Sequence, residues 1–163
     1  MEQIDSIINF ERIVRKTYLF TEESVVEEGI EHSFSSKNIH PKFPLIVKKL
    51  FDDGYYSQAT FEAFKFLDKK VQDFSNESES GYKLMMKVFS DNSPLINLTP
   101  CSTVSEKDEQ KGYQFIFAGS LTAIRNPRGH EHSISDSLDT CLDHLSLCSL
   151  LLRRLEEAGC VIS

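Results

Sequence analysis

Residues 124–132 concentrate side chains that could do chemistry, because the segment reads IRNPRGHEH and holds Arg125, Asn126, Arg128, His130 and His132. Arginine carries a permanent positive charge, whereas the imidazole of histidine changes its charge close to neutral pH. An imidazole can move a proton on a ribose 2′-hydroxyl or on a leaving oxygen, while a guanidinium stabilises charge on the phosphate. Arg125 and His130 are therefore a candidate pair for cleaving a phosphodiester, and this chemistry requires no metal ion.

The patterns on either side place this segment between two long helices. Pro127 disfavours helical geometry at Asn126, so the first helix is predicted to end at Arg125 or Asn126. A leucine-rich helix is predicted to follow, so the segment would form a turn in which Arg125 and His130 face one gap. The alternative is that Arg125 only complements the helix C-terminus and that the histidines are ordinary loop residues. The R-x4-H spacing is common, so by itself it favours this alternative.

The rest of the chain is also helical in pattern, and no alternating run predicts a β-strand. Apolar residues recur every three or four positions, with Gly, Pro and Ser at the junctions. Because short connections favour antiparallel neighbours, the predicted fold class is all-α, an up-and-down helical bundle. The predicted helices cover residues 4–31, 44–53, 57–74, 80–89, 108–125 and 135–159, with an irregular stretch at 90–106.

Length and charge predict how the chain is organised. With 163 residues and 40% apolar content, one hydrophobic core is expected. Residues 1–31 hold eight acidic and three basic residues, so they carry −5 of the total net charge of −7. We therefore predict an acidic helical extension at residues 1–37 and a helical domain at residues 38–159. The near-neutral domain permits a local basic site, although the overall charge argues against general nucleic-acid binding.

No pattern in the sequence predicts a metal, a cofactor or a membrane span. The four cysteines form no CxxC pair and have no histidine at zinc-ligand spacing. The N-terminus has acids where a signal peptide needs a basic leader, and no apolar run approaches the roughly 20 residues that cross a bilayer. We therefore expect a soluble cytoplasmic protein that uses no metal and no cofactor.

Three stretches of the sequence carry a family resemblance. The run IRNPRGHEH resembles the R-N-x3-H form of the motif of HEPN ribonucleases, and it falls between the two C-terminal long helices, as in that family. The run IHPKFPLIVKKLFDDGYYSQATFEAFKFLDKKV resembles the opening of the Ymh-type family, and DEQKGYQFIFAGSLTAIRNPRGHEH resembles its second block. The resemblance covers about residues 38 to 157 and leaves residues 1–37 outside.

This resemblance implies roles for particular residues. Arg125 and His130 would be the catalytic pair, and Asn126 would hold the turn or contact the substrate. Three further residues are candidates for supporting roles. Arg128 would add affinity for phosphate, Glu62 would orient Arg125 or His130 or else form a surface salt bridge, and His132 would be a second base or a peripheral residue.

The resemblance also implies a function and partners. The leading hypothesis is a metal-independent endoribonuclease of a bacterial or phage defence system or a toxin–antitoxin system. It would act as a homodimer in which two motif segments meet and form a composite RNA site. An antitoxin or another defence-system protein would control it. The alternative is a non-catalytic HEPN module for interaction or nucleotide binding in a defence complex.

Overall fold

A computed structural model describes residues 32–131 and 133–162, and every regular element in that part of the chain is helical. The predicted all-α class is therefore confirmed. The helix predicted at residues 4–31 and the candidate His132 lie outside the described residues. The elements are α1 (Ser33–Ser36), α2 (Leu45–Asp52), α3 (Tyr56–Ser75), α4 (Gly81–Val88), α5 (Val104–Ser120), a π-helical turn (Leu121–Arg125), α6 (Asn126–His130) and α7 (Leu138–Glu157).

Local signals explain several of the helix boundaries. Gly54 and Gly159, which follow α2 and α7, have φ angles of +80° and +88°, a conformation that glycine adopts without strain. The start of α5 differs from the prediction, because it begins at Val104 rather than at Asp108. Thr103 and Glu106 form a capping box there, in which each side chain accepts a hydrogen bond from the other residue's backbone N–H.

Helix α3 lies at the centre of the packing and contacts α2, α4, α6, α7 and the π-helical turn. Its apolar stripe is fully buried and repeats every three or four residues, as an amphipathic helix requires. The core continues into α4 and α5, where the rings of Phe89 and Phe117 stack with centroids 4.3 Å apart. The buried stripe of α3 consists of Ala59, Ala63, Phe64, Leu67 and Val71.

The three long helical segments alternate in direction, in agreement with an up-and-down bundle. Along α3, Phe61 lies against Gly129 and Asp68 lies against Arg125, so α3 runs antiparallel to the segment that continues α5. Helix α7 runs in the general direction of α3, because Ser57 contacts the residue Asp136, Thr60 contacts Cys141, and Ala63 contacts Cys148. Arg154, near the end of α7, forms an ion pair with Glu109, near the start of α5. Helices α7 and α5 therefore run antiparallel to each other.

The helix that carries the chemical motif does not end where Pro127 predicts. After α5 the backbone widens into the π-helical turn, in which the N–H of Asn126 donates to the carbonyl of Leu121 five residues earlier, and then continues as α6 to His130. Proline has no N–H and crowds the carbonyl four residues before it, so it normally breaks an α-helix. A π turn shifts this hydrogen-bond register, and such turns are frequent at functional sites. The predicted end at Arg125 or Asn126 is therefore wrong.

The segment before α2 is joined to α7 by polar contacts. The N–H of His40 donates to Ser149 Oγ at 2.9 Å, and His40 Nε2 lies 3.2 Å from a carboxylate oxygen of Glu156. The guanidinium of Arg153 donates to the carbonyl of Asn38. These contacts give His40 a structural position far from the chemical motif.

None of the described helices combines the length and the apolar character that crossing a membrane requires.

Candidate active site

Arg125 is the last residue of the π-helical turn, and a buried carboxylate holds it. Its Nη1 lies 3.5 Å from Oδ2 of Asp68 on α3, and the side chains of Arg125 and Asp68 are 22% and 3% exposed. The other oxygen of Asp68 accepts the N–H of Gly81 at 2.8 Å. Asp68 therefore joins three elements, and it orients a guanidinium of which about a fifth remains open to solvent.

An aromatic ring supports Arg125 from a second side. The guanidinium carbon of Arg125 lies 5.8 Å from the centroid of the Phe61 ring, within the range of a cation–π contact. The same ring packs tightly against α6, because a Cβ added to Gly129 would lie 2.8 Å from Cε2 of Phe61. Gly129 thus permits the close approach of α6 to α3. The carboxylate and the ring together restrict the positions that the guanidinium can adopt.

Arg128, the candidate for phosphate affinity, is engaged inside the protein. Its Nε and Nη2 donate to the two oxygens of Asp136 at 2.6 and 2.5 Å, and its Nη1 donates to the carbonyl of Ile124 at 2.8 Å. Asp136 is anchored in turn, because its N–H donates to Ser57 Oγ. A bidentate pair of this kind is geometrically specific. Arg128 therefore fixes the connection between α6 and α7 to the start of α3.

Charge and burial act together around this ion pair. Burial by itself raises the pKa of Asp136, but the hydrogen bonds and the positive charge of Arg128 outweigh it and hold that pKa below its ordinary value. Nearby on α7, burial lowers the pKa of His144, and the positive charge of Arg128 lowers it further. The carboxylates of Asp136 and Asp143 raise this pKa, but they do not outweigh the other two effects. His144 Nδ1 is buried and has no hydrogen-bond partner among the described residues. The neutral imidazole is thus favoured there.

His130 is the last residue of α6, and its side chain is exposed. Asn126, the first residue of the same helix, is half-buried. Arg125 and His130 belong to one helical segment, where they lie roughly 7.5 Å apart along the axis and about 140° apart around it, so they project from different sides of the helix. The motif therefore combines a guanidinium held inward by Asp68 with an imidazole that reaches solvent. It is not the turn between helices that the sequence predicted, because the connection to α7 begins only after His130.

Two other sequence candidates have different surroundings. Glu62 forms an ion pair with Lys65 one turn later on α3, at 3.1 Å, which is the surface salt bridge that the sequence left as an alternative. The carboxylate beside Arg125 belongs instead to Asp68, which the sequence reasoning missed. Its signal is present in the sequence, because Asp68 is a charged residue on the face of α3 that carries Phe64 and Leu67. His132 lies outside the described residues.

The arrangement is suited to binding an anion. Arg125 Nε is buried and has no hydrogen-bond partner among the residues that the structure describes. The side chain as a whole is 22% exposed, so its open N–H groups could donate hydrogen bonds to a phosphate oxygen while the carboxylate partner stays in place. In residues 32–131 and 133–162, no group of three or more His, Cys, Asp or Glu is placed to hold a metal ion.

Comparisons with known proteins give one match. A family model described as "Protein of unknown function (Hypoth_ymh)" matches residues 37–155, which is most of the chain. Searches of the curated proteins and of the solved structures found no significant match. The matched range contains α2 to α6 and nearly all of α7, so the residues around Arg125 lie inside it.

Proposed function

The chain belongs to the Hypoth_ymh family, and we propose that it is a metal-independent endoribonuclease of the HEPN type. Arg125 and His130 would form its catalytic pair, and Asn126 would contact the substrate or hold the helix start. The observation that carries the proposal is the state of Arg125. A buried carboxylate and an aromatic ring orient its guanidinium, while its side chain stays 22% exposed five residues from an exposed imidazole. The guanidinium is therefore oriented and could still contact a phosphate from the solvent side.

The proposed reaction is an attack within the RNA strand. A base removes the proton from the ribose 2′-hydroxyl, and the 2′-oxygen forms a bond to the adjacent phosphorus. The bond from phosphorus to the 5′-oxygen breaks, and an acid protonates that leaving oxygen. The products are a 2′,3′-cyclic phosphate and a 5′-hydroxyl. His130 would transfer the protons, and Arg125 would stabilise the extra charge on the phosphate oxygens in the transition state.

We further propose that the enzyme is a homodimer. The side of α5 that faces away from the core exposes Phe115 and Ile116, and glycines lie one turn before and after them. A Cβ added to Gly112 or Gly119 would meet nothing within 4 Å, so this face is open in one copy of the chain. Large apolar residues beside glycines permit close packing with a second, identical helix. A two-fold interface brings the same surface of both copies together.

This arrangement would make the active site composite. Helix α5 continues through the π-helical turn into α6, which ends at His130. If two copies pack along that face with their α5 helices running in the same direction, the two His130 side chains approach the same region. One imidazole could then act as the base and the other as the acid, which two proton transfers require.

The biological setting is proposed from the resemblance described above. An RNA-cutting enzyme harms its own cell unless it is restrained, so a bacterial or phage defence system or a toxin–antitoxin system provides the expected context. An antitoxin or another defence protein would be the controlling partner, and the cytoplasm would be the place of action. Glu62 would take no part, because its partner is Lys65. Arg128 would act by holding α6 in place.

One observation favours a second candidate, a non-catalytic HEPN module for interaction or nucleotide binding. Arg128 is committed to Asp136 and to the carbonyl of Ile124, so part of the motif serves the fold. A module of this kind would bind RNA or a nucleotide and leave it intact.

The direct test is incubation of the purified chain with labelled RNA in the presence of EDTA. The enzyme should cut the RNA, produce 2′,3′-cyclic phosphate ends, and lose its activity when His130 is replaced by alanine. Loss of all cleavage in EDTA, with recovery on addition of magnesium, would refute the metal-independent mechanism. RNA binding with no cleavage under any condition would support the non-catalytic module instead.

A further inference from the structure

The segment that leads into α2 is basic, although the chain as a whole is acidic. Residues 37–49 read KNIHPKFPLIVKK and hold four lysines and no acidic residue, in a chain where Asp and Glu outnumber Lys and Arg by 25 to 18. All four lysines are exposed. Among the described residues only Lys48 has an acidic partner, Asp52, at 3.3 Å. Three lysines therefore carry charge that no described carboxylate compensates, namely Lys37, Lys42 and Lys49.

A small pocket opens on the same segment. It has a volume of about 220 Å³, and its lining includes the side chains of Phe34, Phe43, Leu45 and Lys48. Leu45 is 86% exposed, the largest value for any large apolar side chain that the structure describes, and Ile46 is 45% exposed. Residues 37–49 together with Phe34, here called the α2 surface, thus combine positive charge, exposed aliphatic side chains and a pocket.

Contacts within the domain hold this pocket in shape. The N–H groups of Lys42 and Phe43 donate to Nδ1 and to the carbonyl of the buried His40, at 3.2 and 3.3 Å. The ring of Phe43 packs edge-on against Phe66 of α3, with centroids 6.3 Å apart. Because these residues are already ordered, a ligand loses little affinity in ordering them.

The α2 surface lies on the other side of α3 from the candidate active site. Phe66 contacts Phe43, whereas Asp68 pairs with Arg125. Two residues apart on a helix, Phe66 and Asp68 point about 160° away from each other. A ligand bound in the pocket therefore does not cover the guanidinium of Arg125.

We infer that the α2 surface docks an acidic segment of another protein, which inserts a large apolar side chain into the pocket and places carboxylates beside the lysines. Pockets for small molecules usually measure about 300–1,000 Å³, so this one is suited to a single side chain. The net charge of −7 opposes binding to an anionic membrane, and Leu45 offers a nucleic acid no ring on which a base could stack. A segment with both acidic and apolar residues matches the charge and the apolar character together. This inference does not depend on RNA cleavage.

The experiment selects ligands for the purified full chain from a phage-displayed library of random twelve-residue peptides. The selected peptides should carry acidic residues around a large apolar residue. Their affinity, measured by fluorescence anisotropy, should fall as NaCl is added, because salt screens exposed charges. The double variant Lys42→Glu, Lys49→Glu should bind them at least about 10-fold more weakly, since attraction becomes repulsion. Leu45→Ser should weaken binding about 10-fold, because apolar contact is lost.

A matched control uses Val104 and Lys107, an exposed aliphatic residue and an exposed lysine at the start of α5. The double variant Val104→Ser, Lys107→Glu should bind the selected peptides as tightly as the wild type. Circular dichroism should show the same helical content in all variants, because every substituted side chain is exposed. The inference is overturned if no peptide is selected, if the selected peptides lack acidic residues, or if their binding survives the Lys42→Glu, Lys49→Glu substitutions.

Three further measurements on this lysine variant test other occupants of the α2 surface, and each positive result would overturn the inference. Loss of binding to phosphatidylserine vesicles would indicate a membrane, and loss of RNA binding would indicate a nucleic acid. A fall in molar mass by light scattering would indicate a second copy of the chain. RNA cleavage by the variant should stay at the wild-type rate. If the wild-type chain selects acidic peptides but cuts no RNA, the proposed function fails and this inference stands.

Discussion

Replacing Asp68 by asparagine removes the negative charge that holds Arg125 and keeps an oxygen that can accept the N–H of Gly81. The change therefore isolates the ion pair from the hydrogen bond. At the observed 3.5 Å, Coulomb's law with an effective dielectric constant of about 20 gives an attraction of about 5 kcal/mol. Two effects make the net stabilisation by the ion pair smaller than this attraction. The buried carboxylate loses hydration when the chain folds, and the partly exposed guanidinium remains screened by water.

We expect a loss of about 2 kcal/mol in the free energy of unfolding. This lies between the value of up to about 1 kcal/mol for exposed pairs and the roughly 3–5 kcal/mol for fully buried pairs. For a chain of this size it corresponds to a fall in melting temperature of about 4–8 °C. The expected loss of RNA cleavage is larger, about 100-fold, because a guanidinium displaced by about 1 Å no longer matches the phosphate.

Thermal unfolding followed by circular dichroism, and RNA cleavage measured under single-turnover conditions, would test both numbers. Glu62→Gln is the matched control, because this carboxylate lies on the same helix but pairs with Lys65 at the surface. It should change stability by less than about 1 kcal/mol and leave cleavage intact. If Asp68→Asn keeps the melting temperature and the cleavage rate of the wild type, Asp68 does not position Arg125. If Glu62→Gln causes the larger loss, the original sequence candidate is the orienting residue.

Three further predictions follow from the same geometry. Arg125→Lys should cut RNA at least about 100-fold more slowly, because lysine keeps the charge but loses the planar fork that binds two phosphate oxygens; single-turnover cleavage would show this, and wild-type rates would contradict the assigned role. Gly119→Leu should leave the fold of one copy intact, because a side chain there meets nothing within the same copy, but it should block the dimer interface. The molar mass from light scattering should fall from that of a dimer to that of a monomer, and an unchanged dimer would place the interface elsewhere. Stability should fall as the pH drops below about 6.5, because burial lowers the pKa of His144, so the unfolded chain takes up a proton that the folded chain refuses. His144→Gln should flatten this dependence when melting temperatures at pH 7.5 and 5.5 are compared, and an unchanged difference would show that another group is responsible.

The sequence by itself determined the fold class and most of the helix positions. The apolar residues of α3 recur every three or four positions, so its length and buried face followed from periodicity. The end of α2 was equally readable, because Asp53 and Gly54 provide a local stop. Signals of this kind depend on residues close together in the chain. The concentration of Arg125 and His130 in one short segment was visible for the same reason.

The end of the motif helix shows where local signals fail. Pro127 predicts a break because it cannot continue an α-helical hydrogen-bond ladder. The chain instead widens into a π turn, in which the N–H of Asn126 reaches the carbonyl of Leu121. Beyond the proline, Gly129 packs against Phe61 of α3. The helical backbone that the local sequence disfavours is therefore in contact with another helix.

Tertiary structure also decided the partners of the charged residues. Glu62 and Asp68 are both carboxylates on α3, but they lie six residues apart and therefore on different sides of the helix. Only Asp68 faces Arg125, whereas Glu62 reaches Lys65 one turn away. Arg128 likewise pairs with Asp136, which is anchored to Ser57 far away in the chain. The type and spacing of a side chain determine which interactions it can make. Its actual partner depends on how the helices pack, because only packing brings residues that are distant in sequence within a few ångströms of each other.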